Sequence, residues 1–373
     1  MSEFSGAFPA PTWTPPAREP FVPLRPLTLG QILAGAFRTL RHNPGVTLGP
    51  AIVLSLVASL GATAISWGVV DPLVVRLGSS TTTAYDLYDW FASFGAGLLS
   101  WVVAQSLVLA AGVLQQSVSA VDVSHAVLGR RLTPGGLRRR TRGLRAQAVL
   151  WAVIVLLASL AGGCAGAAVI AAAAFVDPGL AVLVGFGVFA VGLVVLVWLG
   201  TRLAFVPSAI VVERVPFWRA VARSRRLTRG YFWMTFGIRL LCWGMIWFAT
   251  LLVGVPVQLL TSWFTGILAG NGDMGDSLAI DTIGMIAASV VAAVIAAIGL
   301  VITTAADAIL YLDLRMRHEG LDLELARFME RRRPSTRFDP AEPDPYRSVP
   351  PAAVVSGASP LPPVPPGQVS PWA

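Results

Sequence analysis

Six stretches of the 373-residue chain are nearly unbroken runs of apolar residues: 46–70, 90–114, 149–176, 180–206, 232–264 and 283–312. Each supplies the roughly 20 residues that a helix needs to cross a hydrocarbon core about 30 Å thick. Lipid offers no water to a free peptide group, so a spanning chain is confined to helices or a closed barrel, and runs of this length select helices. The expected fold is all-α: a polytopic integral membrane protein with six transmembrane helices. Charge content agrees, at 13% of residues against about 25% in soluble domains.

Charge sorts the connecting segments. Those after the first, third and fifth runs hold one arginine, Arg76, beside Asp71, Asp86, Asp89, Asp177, Asp273 and Asp276. The segment after the second run holds Arg130, Arg131, Arg138, Arg139, Arg140, Arg142 and Arg145. The segment after the fourth holds Arg214, Arg219, Arg223, Arg225, Arg226 and Arg229, and the one after the sixth begins with Arg315 and Arg317. Cationic loops stay on the cytoplasmic side, so six spans with both termini in the cytoplasm are expected. Trp67, Trp90 and Trp263 fall where an outer aromatic belt would lie, and Trp151, Trp218 and Trp233 where an inner one would. Residues 1–26 lack the charged and apolar regions of a secretory signal, so the first apolar run is expected to target the chain.

Each odd-numbered span follows a basic segment with helical periodicity. Residues 213–231 place Arg219, Arg223, Arg225, Arg226 and Arg229 on one side, opposite Phe217, Ala220, Val221, Ser224, Leu227 and Thr228. Such a helix lies at a membrane surface with its cations among head groups. Thr28 and Gln31 have capping-box spacing. Beyond them Leu29, Ile32, Leu33, Ala36, Phe37 and Leu40 form a stripe, with Arg38 and Arg41 near its end. In the middle segment Thr133 and Pro134 suit the first helical positions, and Leu137, Thr141, Leu144 and Ala148 form the stripe. Leu27-Thr28-x-Gly30 is echoed by Leu132-Thr133-x-Gly135. Arg38-Thr39-x-Arg41-x-x-x-Gly45 is echoed by Arg223-Ser224-x-Arg226-x-x-x-Gly230. We read three units, each a basic interfacial amphipathic helix followed by a hairpin of two spans. The Pro-rich ends, 1–26 and 331–373, are expected to be disordered tails flanking a membrane domain at 27–330.

Three segments carry a family resemblance. The first runs from Arg25 through Leu27-Thr28-Leu29-Gly30-Gln31 to Arg38. The second is Glu213 followed by Ala220, Arg223, Ser224, Leu227, Thr228 and Gly230. The third comprises Tyr311, Asp313, Arg315, Arg317, Glu319, Gly320 and Asp322. With these the chain resembles the bacterial family named after the membrane region of glycerophosphoryl diester phosphodiesterase, particularly its stand-alone actinobacterial members. The resemblance implies a polytopic membrane domain and little about activity. In the third segment Asp313 and Arg317 have the favourable i, i+4 order, and Gly320 suits the position just past a helix end.

Catalysis is not expected. A phosphodiesterase of that kind needs a soluble barrel with histidines and carboxylates around a divalent metal. This chain has His42, His125 and His318, far apart, and no stretch that could form a barrel of about 250 residues. Cys164 and Cys242 sit within apolar runs and build neither a disulfide framework nor a zinc site. No cofactor and no metal is expected. Nucleic acid is not expected as a partner, since the arginines follow the membrane pattern. The expected ligands are anionic lipid head groups at Arg38, Arg41, Arg138, Arg142, Arg145, Arg219, Arg223, Arg226 and Arg229. A protein partner could bind the cytoplasmic helices or the Pro-rich tail.

The leading reading is a non-catalytic membrane domain for lipid or envelope handling, or a membrane-embedded interaction module. The alternative is a transporter or channel built on the repeats and on in-membrane polar residues. Gln105 and Gln258 are such residues. So are Arg239 and Asp307, which lie at comparable depth in the fifth and sixth runs and are expected to form an ion pair. Gly162 and Gly166 have the spacing of close helix packing, expected within the chain rather than between copies.

Overall fold

The structure is a computed structural model and describes residues 23, 25–70, 72, 87–129, 133–269, 274–330 and 346. Among the described residues every regular element is helical. Helix α1 is Leu29–His42, α2 Pro44–Ile65, α3 Leu87–Val127, α4 Pro134–Arg140 and α5 Arg145–Ala174. Helix α6 is Pro178–Arg202, α7 Phe217–Leu227, α8 Phe232–Ala269, α9 Met274–Glu319 and α10 Leu321–Glu330. Six helical stretches are long and apolar enough to cross a membrane: Pro44–Gly68, Gly97–Val127, Arg145–Ala174, Gly179–Glu213, Phe232–Val257 and Ser289–Glu319.

Local chemistry explains the helix ends. Thr28 caps α1, and its capping box with Gln31 is complete. Asp177 accepts from the Leu180 N–H at 2.8 Å, with Pro178 at the first position of α6. Thr133 Oγ1 accepts from Gly136 N–H at 3.2 Å at the start of α4. That helix is shorter than its periodicity predicts. It closes at Arg140, residues 141–144 form a turn with Gly143 at φ +87°, and Ala148 belongs to α5. The stripe from Leu137 to Ala148 is therefore split between two helices.

Helix α9 is the axis. It packs against α8, α2, α3 and α1, and 44% of its spanning stretch is buried, against at most 17% for any other. Helix α2 packs along α3, α3 along α5, and α5 along α6. Outward faces of the spans are apolar: Val57, Leu183, Phe186, Trp247, Phe248 and Leu252 are all exposed. In water such surface would be a liability; against lipid tails it is expected. Gly163 of α5 lies directly against Val102 of α3, and a Cβ on Gly166 would stand 2.9 Å from Val188 of α6. Gly162, paired with Gly166 by spacing, meets nothing within 4 Å, so it is Gly163 and Gly166 that pack closely.

Among the described residues the larger cluster of buried apolar side chains lies at the end that carries the arginines. There Ile32 and Ala36 of α1, Ala120–Val127 residues of α3, Phe205, Ile210 and Ile309 through Leu314 pack together with Leu321 and Leu325 of α10. Helices α3 and α9, of 41 and 46 residues, are about 60 and 70 Å long at 1.5 Å per residue. Both exceed a hydrocarbon core, and their surplus turns build this end.

Candidate functional site

Every 100° step along α9 sorts its charges. Tyr311, Arg315 and Glu319 recur at i, i+4 and i+8 and share one face, whereas Asp313 and Arg317 stand on roughly the opposite one. The two faces grip different parts of the chain.

On the first face the partner is Glu213. After α6 the chain turns at 203–205 and winds through Val206–Ser208 into a π-helical turn, Ala209–Glu213, all of it buried. A π-turn re-aims side chains relative to an α-helix and recurs at functional sites. Here it delivers the Glu213 carboxylate, 0% exposed, into the core. The next residue, Arg214, leaves at φ 57°, the left-handed region that a non-glycine residue enters only under tertiary constraint. Glu213 accepts from the Tyr311 hydroxyl and from Arg223 Nε, and Arg315 Nε lies 3.5 Å from its Oε1. Glu319 Oε2 then accepts from Arg223 Nη2 at 2.7 Å and Arg315 Nε at 3.0 Å. Two carboxylates and two guanidiniums thus close a ring with no net charge. Burial would lower the Arg223 pKa, but the hydrogen bond and charge of Glu213, with Glu319, outweigh it and hold the value above that of a free arginine.

On the second face Asp313, fully buried, accepts from the backbone N–H of Leu27 at 2.7 Å and from Arg317 Nε at 2.8 Å. Arg317 Nη2 returns to the carbonyl of Leu27 at 2.9 Å. Both peptide groups of one residue just before α1 are therefore held by one i, i+4 pair on α9. The Arg317 guanidinium also lies 6.0 Å from the Tyr231 ring, and Tyr231 meets His318 edge to face.

Helix α7 is fastened by Ser224, which donates to Arg202 O at 2.8 Å and accepts from Phe205 N–H at 3.2 Å, satisfying the end of α6. Gln116 of α3 donates to Ala204 O at 2.6 Å in the same turn. Gly230 and Gly320 have φ of +90° and +65°, which a side chain would strain. They turn the chain after α7 and between α9 and α10.

The motif residues Glu213, Ser224, Tyr311, Asp313, Arg315, Arg317 and Glu319 thus stand at one end of the bundle, with Gly230 and Gly320 at its turns. Asp322 sits in the first turn of α10, outside the network. Arg239 Nε lies 3.3 Å from Asp307 Oδ1, and its Nη1 donates to Gly200 O at 2.6 Å, tying α8 to α9 and α6.

Two residues are corrected. Arg223, grouped by periodicity with the head-group arginines, turns inward and is 11% exposed, because Glu213 and Glu319 offer buried partners. Trp151, assigned to an aromatic belt, is buried and packs on Phe217 at 5.6 Å. Arg38, Arg41, Arg142, Arg145, Arg219, Arg226 and Arg229 are exposed. Side chains of Arg138 and Gln258, the loops with Arg76, Arg130 and Arg131, and nearly all of both Pro-rich tails lie outside the described residues. Leu27 was picked out only as part of a motif, with no sign that its peptide groups are gripped by α9, and Gln116 and Tyr346, whose hydroxyl donates to Ser124 O at 2.8 Å, escaped the sequence reading, because a lone amide and one tyrosine in a proline-rich stretch carry no periodic signal. Among the described residues no three His, Cys, Asp or Glu side chains gather as a metal site would need.

Compared with protein-family models, with curated proteins and with solved structures, the chain matches none of them.

Proposed function

We propose that the protein is a non-catalytic, six-span module of a bacterial cytoplasmic membrane whose arginine-bearing end faces the cytoplasm and binds anionic lipid head groups. One observation carries this reading. Glu213, Arg223, Arg315 and Glu319 close a neutral ring and Asp313 pairs with Arg317, while seven of the arginines expected among head groups, Arg38, Arg41, Arg142, Arg145, Arg219, Arg226 and Arg229, are exposed, as are Leu29, Phe37, Trp218 and Trp233. Guanidiniums next to apolar and indole side chains suit the boundary between head groups and acyl chains. In this reading α1, α4 and α7 are interfacial helices, each introducing a hairpin: α2 with α3, α5 with α6, α8 with α9. The pairing of Arg239 with Asp307 favours a packed module over a transporter, because those charges neutralise each other. Membership in the phosphodiesterase membrane-domain family remains part of the proposal, and it rests on the three motif segments.

Each exposed arginine near an anionic surface is worth about 1 kcal/mol, or about fivefold in lipid partitioning. The test compares the wild type with a quadruple variant, R38Q/R41Q/R219Q/R226Q. Both are placed in nanodiscs of phosphatidylcholine with and without phosphatidylglycerol, and retained lipid is read by native mass spectrometry. Selective retention of phosphatidylglycerol by the wild type, lost in the variant, is expected. Equal retention of both lipids by both proteins would end the reading. Orientation is checked in intact cells on a Cys164→Ala background: Val176→Cys should react with an impermeant maleimide and Arg219→Cys should not.

A further inference from the structure

Helix α3 carries a buried polar stripe that the network around Glu213 does not use. Gln115, Ser119 and Asp122 stand at i, i+4 and i+7 on one face of the helix, and are 0%, 0% and 1% exposed. The first two are tied to neighbouring helices. Gln115 Nε2 donates to Thr47 O of α2 at 2.8 Å, and Ser119 Oγ lies 2.9 Å from Thr304 Oγ1 of α9. Asp122 is held by less. Its Oδ1 accepts from Asn43 Nδ2 at 3.1 Å, and its Oδ2, also buried, has no hydrogen-bond partner among the described residues. Gln115 Oε1 has none either, but an amide carries no charge.

Asn43 is the one residue between α1 and α2. An asparagine in that place ordinarily turns its side chain onto the following helix as a cap. Here it makes no such cap and donates to Asp122 instead, so the joint between the two helices is pinned to α3 through this carboxyl. The guanidiniums of the neighbouring elements are placed elsewhere. Arg315 stands on Glu213 and Glu319, Arg317 on Asp313, Arg239 on Asp307, and Arg145 on Thr141. His125, one turn along α3, has its Nδ1 2.8 Å from Val121 O, and the Tyr346 hydroxyl donates to Ser124 O. His42, the last residue of α1, is the titratable group whose charge bears on Asp122. An imidazole, unlike a guanidinium, is not a permanent cation.

A carboxylate sealed from water with one neutral hydrogen bond is far costlier to keep than a neutral carboxyl in the same place. We propose that Asp122 is a proton-binding site: its Oδ2 carries the proton, its Oδ1 accepts from Asn43, and the bound proton is what lets the α1–α2 joint dock on α3. With the joint lifted and Asp122 in water, the side chain behaves as an ordinary aspartic acid and holds no proton at neutral pH. The docked state therefore binds one proton more. Docking of α1 weakens as pH rises, by up to about tenfold per pH unit, until the docked carboxyl has itself titrated. Below the ordinary aspartate range both states hold the proton and the dependence vanishes. The helix so controlled bears Arg38 and Arg41, but the inference does not rest on head-group binding.

The test uses the full-length chain in nanodiscs of phosphatidylcholine alone, so that no anionic head group enters the result. Infrared spectra at about pH 7, where an ordinary aspartate is ionised, compare the wild type with Asp122→Asn, a neutral side chain of the same shape. The carbonyl band of a protonated carboxyl is expected in the wild type and not in the variant. Asn43→Ala keeps the carboxyl and removes its amide, so the band should persist and shift, which assigns it even where Asp122→Asn does not fold. Hydrogen exchange across 29–42, corrected for the intrinsic pH dependence of exchange, is then followed from about pH 5 to about pH 8. Protection in the wild type should fall with pH, and that of Asp122→Asn should stay level; His42 is present in both, so the difference belongs to Asp122. A spectrum with no carboxyl band sensitive to either substitution would overturn the proton site. Wild-type protection that stays level, or that falls equally in the variant, would overturn its hold on α1.

Discussion

Replacing Glu213 by Gln removes one charge and almost no volume from the most buried carboxylate of the network. Its consequences follow from its neighbours. Glu213 is 0% exposed, and it faces Arg223 and Arg315 at 11% and 3% exposure. Gln also presents an NH2 donor where a carboxylate offers only acceptors, so a donor is set against guanidinium donors. Removing one partner from a buried ion pair costs about 3–5 kcal/mol, because the other charge is left without compensation. Tyr311 can still donate to the Gln carbonyl, which favours the lower half of that range. Glu319→Gln is the control: it contacts the same two arginines but is 29% exposed, so water replaces much of what is lost and the cost is about 1 kcal/mol. Equilibrium unfolding in mixed micelles, followed by tryptophan fluorescence, reads both. The expected result is a folding constant reduced at least about a hundredfold by Glu213→Gln and about fivefold by Glu319→Gln. A loss under about 1 kcal/mol for Glu213→Gln, or equal losses for the two, would refute the claim that this carboxylate holds the basic end together.

Further outcomes follow from other contacts. Asp313→Ala should free the Leu27 N–H and leave Arg317, which holds the Leu27 carbonyl, without its carboxylate, costing about 2–4 kcal/mol; hydrogen exchange across α1 should rise first. Arg239→Ala, Asp307→Ala and the double variant should show a coupling above about 0.5 kcal/mol in the same unfolding assay, and strict additivity would remove the pair. Gly163→Ala should cost about 1–3 kcal/mol by forcing α5 away from Val102, while Gly162→Ala, which meets nothing within 4 Å, should be nearly silent. Gly320→Ala should cost about 1–2 kcal/mol through its positive φ, visible as a lower melting temperature in detergent.

What the sequence makes legible is what repeats along it. Apolar runs mark the spans, Thr28 and Gln31 the start of α1, and Asp313 and Arg317 each other, because these relations lie within one helix or one run. Depth along two adjacent runs was enough to place Arg239 near Asp307. Glu213 could not be matched to Tyr311 and Arg315 in this way. They are about 100 positions apart, and the carboxylate is aimed by a π-turn that no periodicity announces. The same holds for Arg223: a wheel gives the angle of a side chain but not what stands opposite it. Tyr346 was hidden for another reason. A proline-rich composition describes an average, and one buried aromatic residue whose hydroxyl donates to Ser124 O departs from it.

The grip of Asp313 and Arg317 on Leu27 also sets an order of events in biogenesis. The two sides of that contact are 286 positions apart, so at about 5–20 residues per second the first helix emerges roughly 15 to 60 s before its partner has been synthesised. Until then α1 has only the helices already made, α2 among them, to rest on. Completion of α9 would thus be what locks the start of the chain in place, and a ribosome stalled before Asp313 would leave a protein with its earlier helices made and the first of them still undocked.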